Sequence, residues 1–257
     1  MGVLNVTPDS FSDGGKWEGR AAPQGLAMLE AGADIIDVGG ESTRPNADPV
    51  DEGEEIARVV PVIAALRAAT KDPISIDTMK PAVARAAVAA GASLWNDVNA
   101  LRGPGALETA ASLHRPVVLM HMLGEPRTMQ NEPRYDDVVA EVIAFLRERV
   151  AAAEAKGVED VWVDPGIGFG KTLAHNLALL NAVGRIRAEV GKPVIIGASR
   201  KSFIAKIDPG SDAGAGRLGG SIAAALLAAQ AGADMLRVHD VAETVQALRV
   251  WKATASV

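Results

Sequence analysis

The feature that most constrains the fold of this chain is a regular alternation of short apolar runs with longer helical patterns. Each run is three or four residues long and is followed by an alanine-rich stretch with helical periodicity. Strands that alternate with helices pair in parallel through right-handed crossovers. The eight runs are residues 3–6, 35–38, 74–76, 93–95, 117–120, 161–163, 194–196 and 235–238. The helical patterns cover residues 21–31, 51–69, 81–90, 105–112, 137–155, 173–190, 218–231 and 241–253.

Eight strand–helix units in 257 residues fit one (β/α)8 barrel, the TIM-barrel architecture of the α/β class. The apolar fraction of 48% is enough for a large core, and no linker or change of composition divides the chain. We therefore predict a single barrel domain over residues 1–257. An open, doubly wound sheet is the alternative, since periodicity does not show whether a sheet closes.

Composition disfavours several classes of partner. The chain has no cysteine, so it has neither disulfides nor thiolate metal sites, and it opens without a signal-like segment. Its apolar runs are far below the ~18 residues of a membrane helix. Its net charge of −6 disfavours nucleic acid. We expect a cytoplasmic protein that binds neither membrane nor nucleic acid.

The tripeptide Ala-Gly-Ala occurs at the end of three predicted helices, at residues 31–33, 90–92 and 231–233. Glycine at such a position adopts the left-handed conformation that caps a helix, and small neighbours let helix and strand approach. These repeats therefore indicate the face of the barrel that serves stability.

Polar residues follow the predicted strands at the points where the strands end. In a barrel the carboxyl ends of all strands surround one pocket, so these side chains are expected to converge. Loops rich in Gly, Pro, Ser and Thr follow several of the same ends. The alternative is that each acid or hydroxyl caps the next helix, which explains single positions but not the whole row. The row comprises Asn5, Asp37, Asp77, Asn96, Asp97, His121, Asp164, Ser199 and His239.

Three groups within and beside this row indicate a chemistry. Asp77, Asn96 and Asp164 form a donor–acceptor row that suits a flat, nitrogen-rich ring such as a 2-aminopyrimidine. Met120 and Phe169 could sandwich such a ring, although both residue types are more often core residues. Four cations could together hold a diphosphate, although each alone is more often a surface residue: Arg44, Lys201, Arg237 and His239.

Two further motifs are ambiguous from the residues alone. Asn5 and Thr43 carry oxygens that Mg²⁺ could use, but an asparagine beside a glycine-rich loop is by default a turn residue. Residues 164–171, Asp-Pro-Gly-Ile-Gly-Phe-Gly-Lys, end like a phosphate-binding loop. Pro165 stands where that loop has its first glycine, and proline has no N–H to donate. We therefore do not expect this segment to hold phosphate.

Five ordered motifs resemble those of the dihydropteroate synthases, and the likeness runs over essentially the whole chain. They are residues 5–15 (Asn-Val-Thr-Pro-Asp-Ser-Phe-Ser-Asp-Gly-Gly), 39–45 (Gly-Gly-Glu-Ser-Thr-Arg-Pro), 164–171, 199–202 (Ser-Arg-Lys-Ser) and 237–239 (Arg-Val-His). The resemblance implies a TIM barrel that condenses 6-hydroxymethyl-7,8-dihydropterin diphosphate with p-aminobenzoate. The implied products are 7,8-dihydropteroate and diphosphate, in folate biosynthesis, with Mg²⁺ as the cofactor.

The resemblance also implies roles for individual residues. The pterin edge would be held by four polar residues, with a methionine and an arginine against the ring: Asp77, Asn96, Asp164 and Lys201, then Met120 and Arg237. The metal would contact Asn5, and the diphosphate would contact Thr43, Arg237 and His239. The p-aminobenzoate site and its two loops would comprise Ser10, Phe11, Thr43, Arg44, Pro45, Phe169, Lys201 and Ser202. The implied catalytic set is Asp77, Asp164, Lys201, Arg237 and His239.

Three further properties follow from the resemblance alone. Sulfonamides are expected to compete for the p-aminobenzoate site. A homodimer is expected through helices of the second half of the chain, away from the pocket. A hairpin commonly precedes the first strand in this family, so a less completely plugged barrel bottom is expected here.

Two other functions compete with this interpretation. One is a pterin-binding methyltransferase that moves a methyl group from methyltetrahydrofolate to a corrinoid. Such a barrel needs no diphosphate site, so Thr43-Arg44 and Arg237-Val-His239 count against it. The other is a non-catalytic pterin-binding relative, which would lack Lys201, Asp164 or Asn5, whereas all three are present.

Overall fold

The computed structural model describes residues 1–7, 18–42, 48–124, 128–211 and 214–255. No helix in this described part is both long and apolar enough to cross a membrane. The strands within it are β1 (Gly2–Asn5), β2 (Ile36–Gly39), β3 (Ile74–Asp77), β4 (Leu94–Asp97), β5 (Val117–Met120), β6 (Val161–Asp164), β7 (Ile195–Ile196) and β8 (Met235–Leu236). The helices are α1 (Glu18–Glu30), α2 (Glu52–Ala69), α3 (Pro81–Ala89), α4 (Ala106–Leu113), α5 (Val138–Ala155), α6 (Leu173–Asn181), α7 (Val183–Val190), α8 (Ser202–Ile207), α9 (Leu218–Gln230) and α10 (Val241–Ala255).

The strands close into a parallel barrel. Six of them pair in chain order from β1 to β6, and β7 pairs with β8. A bridge between Val163 and Val194 joins β6 to the segment that enters β7, and a bridge between Gly2 and Val238 joins the end of β8 to β1. The predicted TIM barrel is therefore confirmed, and the open sheet is excluded.

Two apolar layers result from the alternation of side chains along the strands. The main core lies between the outer face of the barrel and the helices, and includes Leu4 and Ile36. A smaller cluster, which includes Leu94, Val118 and Ile195, fills the lower part of the barrel interior. The polar residues of the site lie above this inner cluster, so an apolar plug separates them from the bottom face.

The three Ala-Gly-Ala repeats cap helices as predicted. Gly32, Gly91 and Gly232 have positive φ angles of 102°, 119° and 97°. In the first repeat the N–H of Ala33 donates to the carbonyl of Met28 at 3.0 Å, which is the hydrogen bond of a Schellman cap. Each repeat ends a helix on the side of the barrel opposite the strand carboxyl ends.

Two helical features differ from the sequence prediction. The helix predicted over residues 173–190 is two helices, α6 and α7, which meet at Ala182. Alanine is a good helix former and gives no signal of the break. Glycine at 184 fits the close approach that follows, because a Cβ there would lie 3.0 Å from the carbonyl oxygen of Ala231. Helix α8 was also missed, since six residues are too few to show periodicity.

The bottom face of the barrel contains a cavity of about 490 Å³. Its lining combines Met1 and Asp34 with Thr244, Leu248 and Trp251 of α10.

Candidate active site

Strand alternation divides the predicted row of strand-end residues into two sets. Successive side chains point to opposite faces of a strand, so Asn96 points into the barrel and its neighbour Asp97 points out. Asp97 accepts the N–H groups of Asn99 and Leu101 at 2.7 and 2.8 Å, and burial raises its pKa to about 6. His121 packs outside the barrel against a ring of α5. The expectation that the whole row converges is therefore wrong for Asp97 and His121, which support loops instead.

Arg237 lies inside the barrel between two carboxylates. Its Nε donates to Asp37 Oδ2 and its Nη2 to Asp77 Oδ2, both at 2.6 Å. The amide nitrogen of Asn96 donates to the same oxygen of Asp37 at 3.1 Å. Burial raises the pKa of Asp77, and the Arg237 guanidinium opposes that rise. Burial alone would lower the pKa of Arg237, but Asp37 and Asp77 more than offset this, so the guanidinium stays charged.

A pocket opens above this network at the carboxyl ends of the strands. It is lined by backbone and side chains from five strand ends and their loops, including Val98, Ile167 and Gly197. The structure thereby brings together six of the predicted residues: Asn96, Met120, Asp164, Phe169, Lys201 and Arg237. Asp77 joins this set through its ion pair with Arg237.

Two inward-facing glycines leave space between the polar groups of the site. A Cβ on Gly197 would lie 3.7 Å from Asp164 Oδ2, and one on Gly39 would lie 3.8 Å from both Asn5 Oδ1 and Asp77 Oδ2. A side chain at either position would fill the room that a ligand needs. Gly197 was not predicted as a site residue, because a glycine at a strand end leaves space in the pocket only if it faces into the barrel, and the sequence does not show which way it faces.

The loop at residues 164–171 runs against the end of β5. Asp164 Oδ1 accepts the N–H of Gly166 at 2.7 Å, which leaves its other oxygen toward the pocket. Burial raises the pKa of Asp164, and Lys201 and Arg237 oppose that rise. Gly166 has a φ of 70°, and a Cβ there would lie 1.9 Å from the carbonyl oxygen of His121. Glycine is therefore required for the loop to hold Asp164 at the pocket.

Lys171, at the end of the same loop, is a buried structural residue. Its side chain is 1% exposed, and its Nζ lies 3.0 Å from His121 Nδ1 and 2.9 Å from the carbonyl oxygen of Phe169. Burial lowers its pKa to about 7. Burial and the nearby Lys171 lower the pKa of His121 to about 3, so this imidazole is neutral and can accept from the lysine. The segment does not use its lysine as a phosphate-binding loop does, in agreement with the prediction from Pro165.

An aromatic and apolar wall borders the pocket. The ammonium of Lys201 lies 4.0 Å from the centre of the Phe169 ring, which is a close cation–π contact. Met120, Met122 and Met129 pack in one cluster with Phe169. The wall therefore offers a flexible thioether surface and one positive charge to a flat ligand.

His239 lies at the rim of the site, and its charge differs from the one predicted. Its backbone N–H donates to Ser199 Oγ at 3.2 Å, and its Nδ1 lies 3.1 Å from the same oxygen. Burial, together with the nearby Arg237, Arg200 and Lys201, lowers the pKa of His239 to about 4. The side chain is a neutral imidazole at pH 7, which corrects the expectation of a fourth cation.

Several predicted residues are not part of the described pocket. Ser202 begins α8 and is exposed. Asn5 ends β1 beside Asp77, and the part of the chain that the structure describes holds no group of three or more His, Cys, Asp or Glu that could bind a metal. Five predicted residues lie outside the described ranges: Ser10, Phe11, Thr43, Arg44 and Pro45.

Comparison with known proteins gives consistent matches. A family model for pterin binding enzymes matches residues 1–239. The dihydropteroate synthase of Haemophilus influenzae is 50% identical over 262 residues, covering 100% of this chain and 94% of the relative.

Solved structures match over the full chain as well. The dihydropteroate synthase of Xanthomonas albilineans with 4-aminobenzoic acid has a TM-score of 0.94 at 54% identity, with 100% of this chain and 93% of that chain covered. A complex of the enzyme from the same organism with 7,8-dihydropteroate has a TM-score of 0.91 at 52% identity and the same coverage. The Yersinia pestis enzyme in a sulfonamide drug complex has a TM-score of 0.94 at 45% identity, with 100% and 94% covered. The chain belongs to the pterin-binding enzymes and, among them, to the dihydropteroate synthases.

Proposed function

We propose that this protein condenses 6-hydroxymethyl-7,8-dihydropterin diphosphate with p-aminobenzoate to give 7,8-dihydropteroate and diphosphate. The observation that carries the proposal is the pocket in which Asn96, Asp164 and Lys201 converge beside Phe169 above the Arg237 network. Its acceptor oxygens match the N–H donors of a 2-aminopyrimidine ring. The ligands of the Xanthomonas albilineans complexes are an arylamine and the condensed product, which agrees with both halves of this reaction.

The pterin would occupy the barrel end of the pocket. The free oxygen of Asp164 and the amide of Asn96 face this space, and Met120 forms part of its wall. A carboxylate that faces two N–H groups binds them by charge-assisted hydrogen bonds. Pterin recognition therefore rests on residues that strands β4, β5 and β6 hold rigidly.

The p-aminobenzoate would occupy the outer part, beside Phe169 and Lys201. Lys201 supplies a positive charge for the carboxylate of the substrate, and the Phe169 ring supplies an aromatic face. Ser202 and the predicted loop residues outside the described ranges would complete this subsite. Sulfonamides share the arylamine, so they are expected to compete for it, as the Yersinia pestis complex supports.

The diphosphate and Mg²⁺ would lie at the rim near β1 and β8. Mg²⁺ typically keeps several waters and takes few protein ligands beside substrate phosphates. The oxygen of Asn5, which lies beside Asp77 at the mouth, fits that requirement. When bound, the ion would neutralise charge on the leaving diphosphate. An N–H of the neutral His239 imidazole can also donate to a diphosphate oxygen, and the anion would raise the pKa of this histidine.

The reaction would proceed by departure of the diphosphate before attack of the amine. The bond between the pterin methylene carbon and the diphosphate oxygen breaks, and both electrons leave with the oxygen. The carboxylates of Asp77 and Asp164 stabilise the cation that remains conjugated with the ring. The nitrogen of p-aminobenzoate then forms the C–N bond and releases a proton.

An assay of pteroate formation from the two substrates, with and without Mg²⁺, tests the proposal. We expect turnover that depends on both substrates and on the metal. Binding of the pterin without turnover would favour a non-catalytic role, and methyl transfer to a corrinoid would overturn the proposal. For the order of steps, a ¹⁵N isotope effect on the amine that shows C–N bonding during diphosphate departure would contradict the dissociative sequence.

We also propose a homodimer formed by helices of the second half of the chain. Leu177 on α6 is 39% exposed and Leu227 on α9 is 57% exposed, and these two helices are in contact with each other. Contiguous exposed apolar patches mark protein interfaces, and exposed leucines on two helices in contact are suited to form one. Light scattering after size-exclusion chromatography would test the dimer, and Leu227→Lys is expected to shift it toward the monomer.

A further inference from the structure

We infer that Asp37, a residue without a direct place in the pocket, is a specificity-determining positioning residue that orients the amide of Asn96 toward the pterin. The inference rests on the proposed function. Asp37 is 0% exposed and lies in the middle of β2, below the mouth of the barrel. It acts through Asn96 and does not need to contact the ligand.

The hydrogen bond between the two side chains has a fixed polarity. Asp37 is paired with the Arg237 guanidinium, so its carboxylate can only accept hydrogen bonds. The contact of 3.1 Å between Asp37 Oδ2 and Asn96 must therefore involve the amide nitrogen, as the structure has it. Because the amide is planar, its carbonyl oxygen is then turned away from Asp37. Asn96 lines the pocket, so this carbonyl oxygen is the acceptor that it presents to a ligand.

The orientation of the Asn96 amide determines whether the pocket favours a ring with a hydrogen-bond donor or one with an acceptor at the facing edge. With the amide held in this orientation, its carbonyl oxygen favours a ring edge that carries an N–H donor. A flipped amide would present its NH₂ group and would favour a ring with an acceptor at that edge. Asp37, one layer below the pocket, would thus make the pocket prefer a ring with an N–H donor at this edge, as in a 2-amino-4-oxo-pyrimidine.

The second oxygen of Asp37 suggests a discriminating experiment. Oδ2 accepts from both Asn96 and Arg237, whereas Oδ1 is buried and has no hydrogen-bond partner among the described residues. In Asp37→Asn the amide oxygen can take the place of Oδ2, and the amide nitrogen can take the place of Oδ1. Ser75, the register partner of Asp37 on β3, has a buried hydroxyl that also lacks a partner within the described part of the chain. The conservative variant can therefore keep both bonds while it loses the charge.

The test measures the dissociation constant of 6-hydroxymethylpterin, a probe without the diphosphate, by calorimetry. Asp37→Leu, which has a similar shape but no acceptor, is expected to weaken binding about ten- to hundredfold. Asp37→Asn is expected to stay within about threefold of the wild type. In an Asn96→Ala background, Asp37→Leu is expected to add less than about twofold, because the residue through which it acts is gone. Ser75→Ala, which alters the same buried layer without touching Asn96, serves as the matched control and is expected to bind as the wild type does.

Three outcomes would overturn the inference. Equal losses for Asp37→Asn and Asp37→Leu would mean that Asp37 acts as a charge. Losses that multiply in the double variant would mean that it acts independently of Asn96. Binding by Asp37→Leu at the wild-type level would mean that it does not act on the pterin at all. Failure of the wild type to bind the probe would instead overturn the proposed function, and this inference with it.

Discussion

Replacement of Lys171 by methionine tests whether the structure holds a buried lysine that loses its proton near neutral pH. Methionine has a similar length and no charge, so it can fill the same space. It would leave His121 Nδ1 and the carbonyl of Phe169 without their present donor. Each such loss costs about 1–3 kcal/mol. We therefore expect Lys171→Met to be less stable than the wild type by about 2–6 kcal/mol at pH 9.

The effect should be smaller at lower pH, and the sign follows from proton linkage. Burial lowers the pKa of Lys171 from its ordinary value of 10.5 to about 7. Above 10.5 the side chain is neutral in both states, and below 7 it is charged in both. Between these values the unfolded state holds a proton that the folded state does not, so the wild type gains stability as pH rises. Between pH 7 and 9 this gain is about 2 kcal/mol, and the methionine variant cannot show it.

The assay is urea denaturation followed by tryptophan fluorescence at pH 7, 8 and 9. The wild-type advantage over Lys171→Met is expected to widen by about 2 kcal/mol across this range. Lys71→Met, a change at an exposed lysine, is the control and should show no such widening. An advantage that stays constant from pH 7 to 9 would refute the assignment of a near-neutral pKa to Lys171.

The other predictions concern the same loop. Asp164→Asn should weaken pterin binding about tenfold to a hundredfold, far more than Lys171→Ala; equal losses by calorimetry would contradict the placing of Asp164 at the pterin edge. Gly166→Ala should cost more than about 4 kcal/mol in denaturant unfolding, because its Cβ would lie 1.9 Å from a carbonyl oxygen, and wild-type stability would refute that geometry. Phe169→Leu should raise KM for p-aminobenzoate about three- to tenfold with a smaller effect on pterin affinity; a larger effect on the pterin would place the aryl subsite elsewhere.

The sequence was sufficient for the fold because its strongest signals act over whole elements. Eight apolar runs separated by helical patterns leave few topologies and favour a closed barrel, whereas the closure itself is shown by the pairing of β8 with β1. The break at Ala182 was not predictable, because nothing in the local propensity of alanine disfavours a continuous helix. After the break, Gly184 lies so close to the end of α9 that a Cβ there would be 3.0 Å from the carbonyl oxygen of Ala231, and local patterns do not encode such a tertiary approach.

The sequence predicted which residues form the site better than it predicted how their side chains pair. Asn96, Asp164, Lys201 and Arg237 converge as expected, because motif residues at strand ends are brought together by any parallel barrel. Their pairing depends on which neighbours face inward, and a strand end alone does not fix that face. The neutral state of His239 likewise depends on burial and on cations that are distant in sequence.

The charged groups in the barrel interior favour the separation of charge in the proposed reaction. Asp37, Asp77 and Asp164 place three carboxylates in the upper part of the barrel interior, and Arg237 pairs with the first two. On this floor of the pocket the acidic groups outnumber the guanidinium that pairs with them. Burial raises the pKa of Asp77 to about 7 and also raises the pKa of Asp164, so the ionised forms of these groups supply the negative charge that stabilises a cation on the pterin. The rim near His239 and Asn5 offers hydrogen-bonding groups, and the carboxylate of Asp240 next to His239 is paired with Arg200. When the C–O bond breaks, the carboxylates of the floor favour the cationic fragment on the pterin. Removal of a floor carboxylate should therefore slow diphosphate departure more than it weakens p-aminobenzoate binding. In a concerted displacement, the rate of departure and the affinity for p-aminobenzoate would instead fall together.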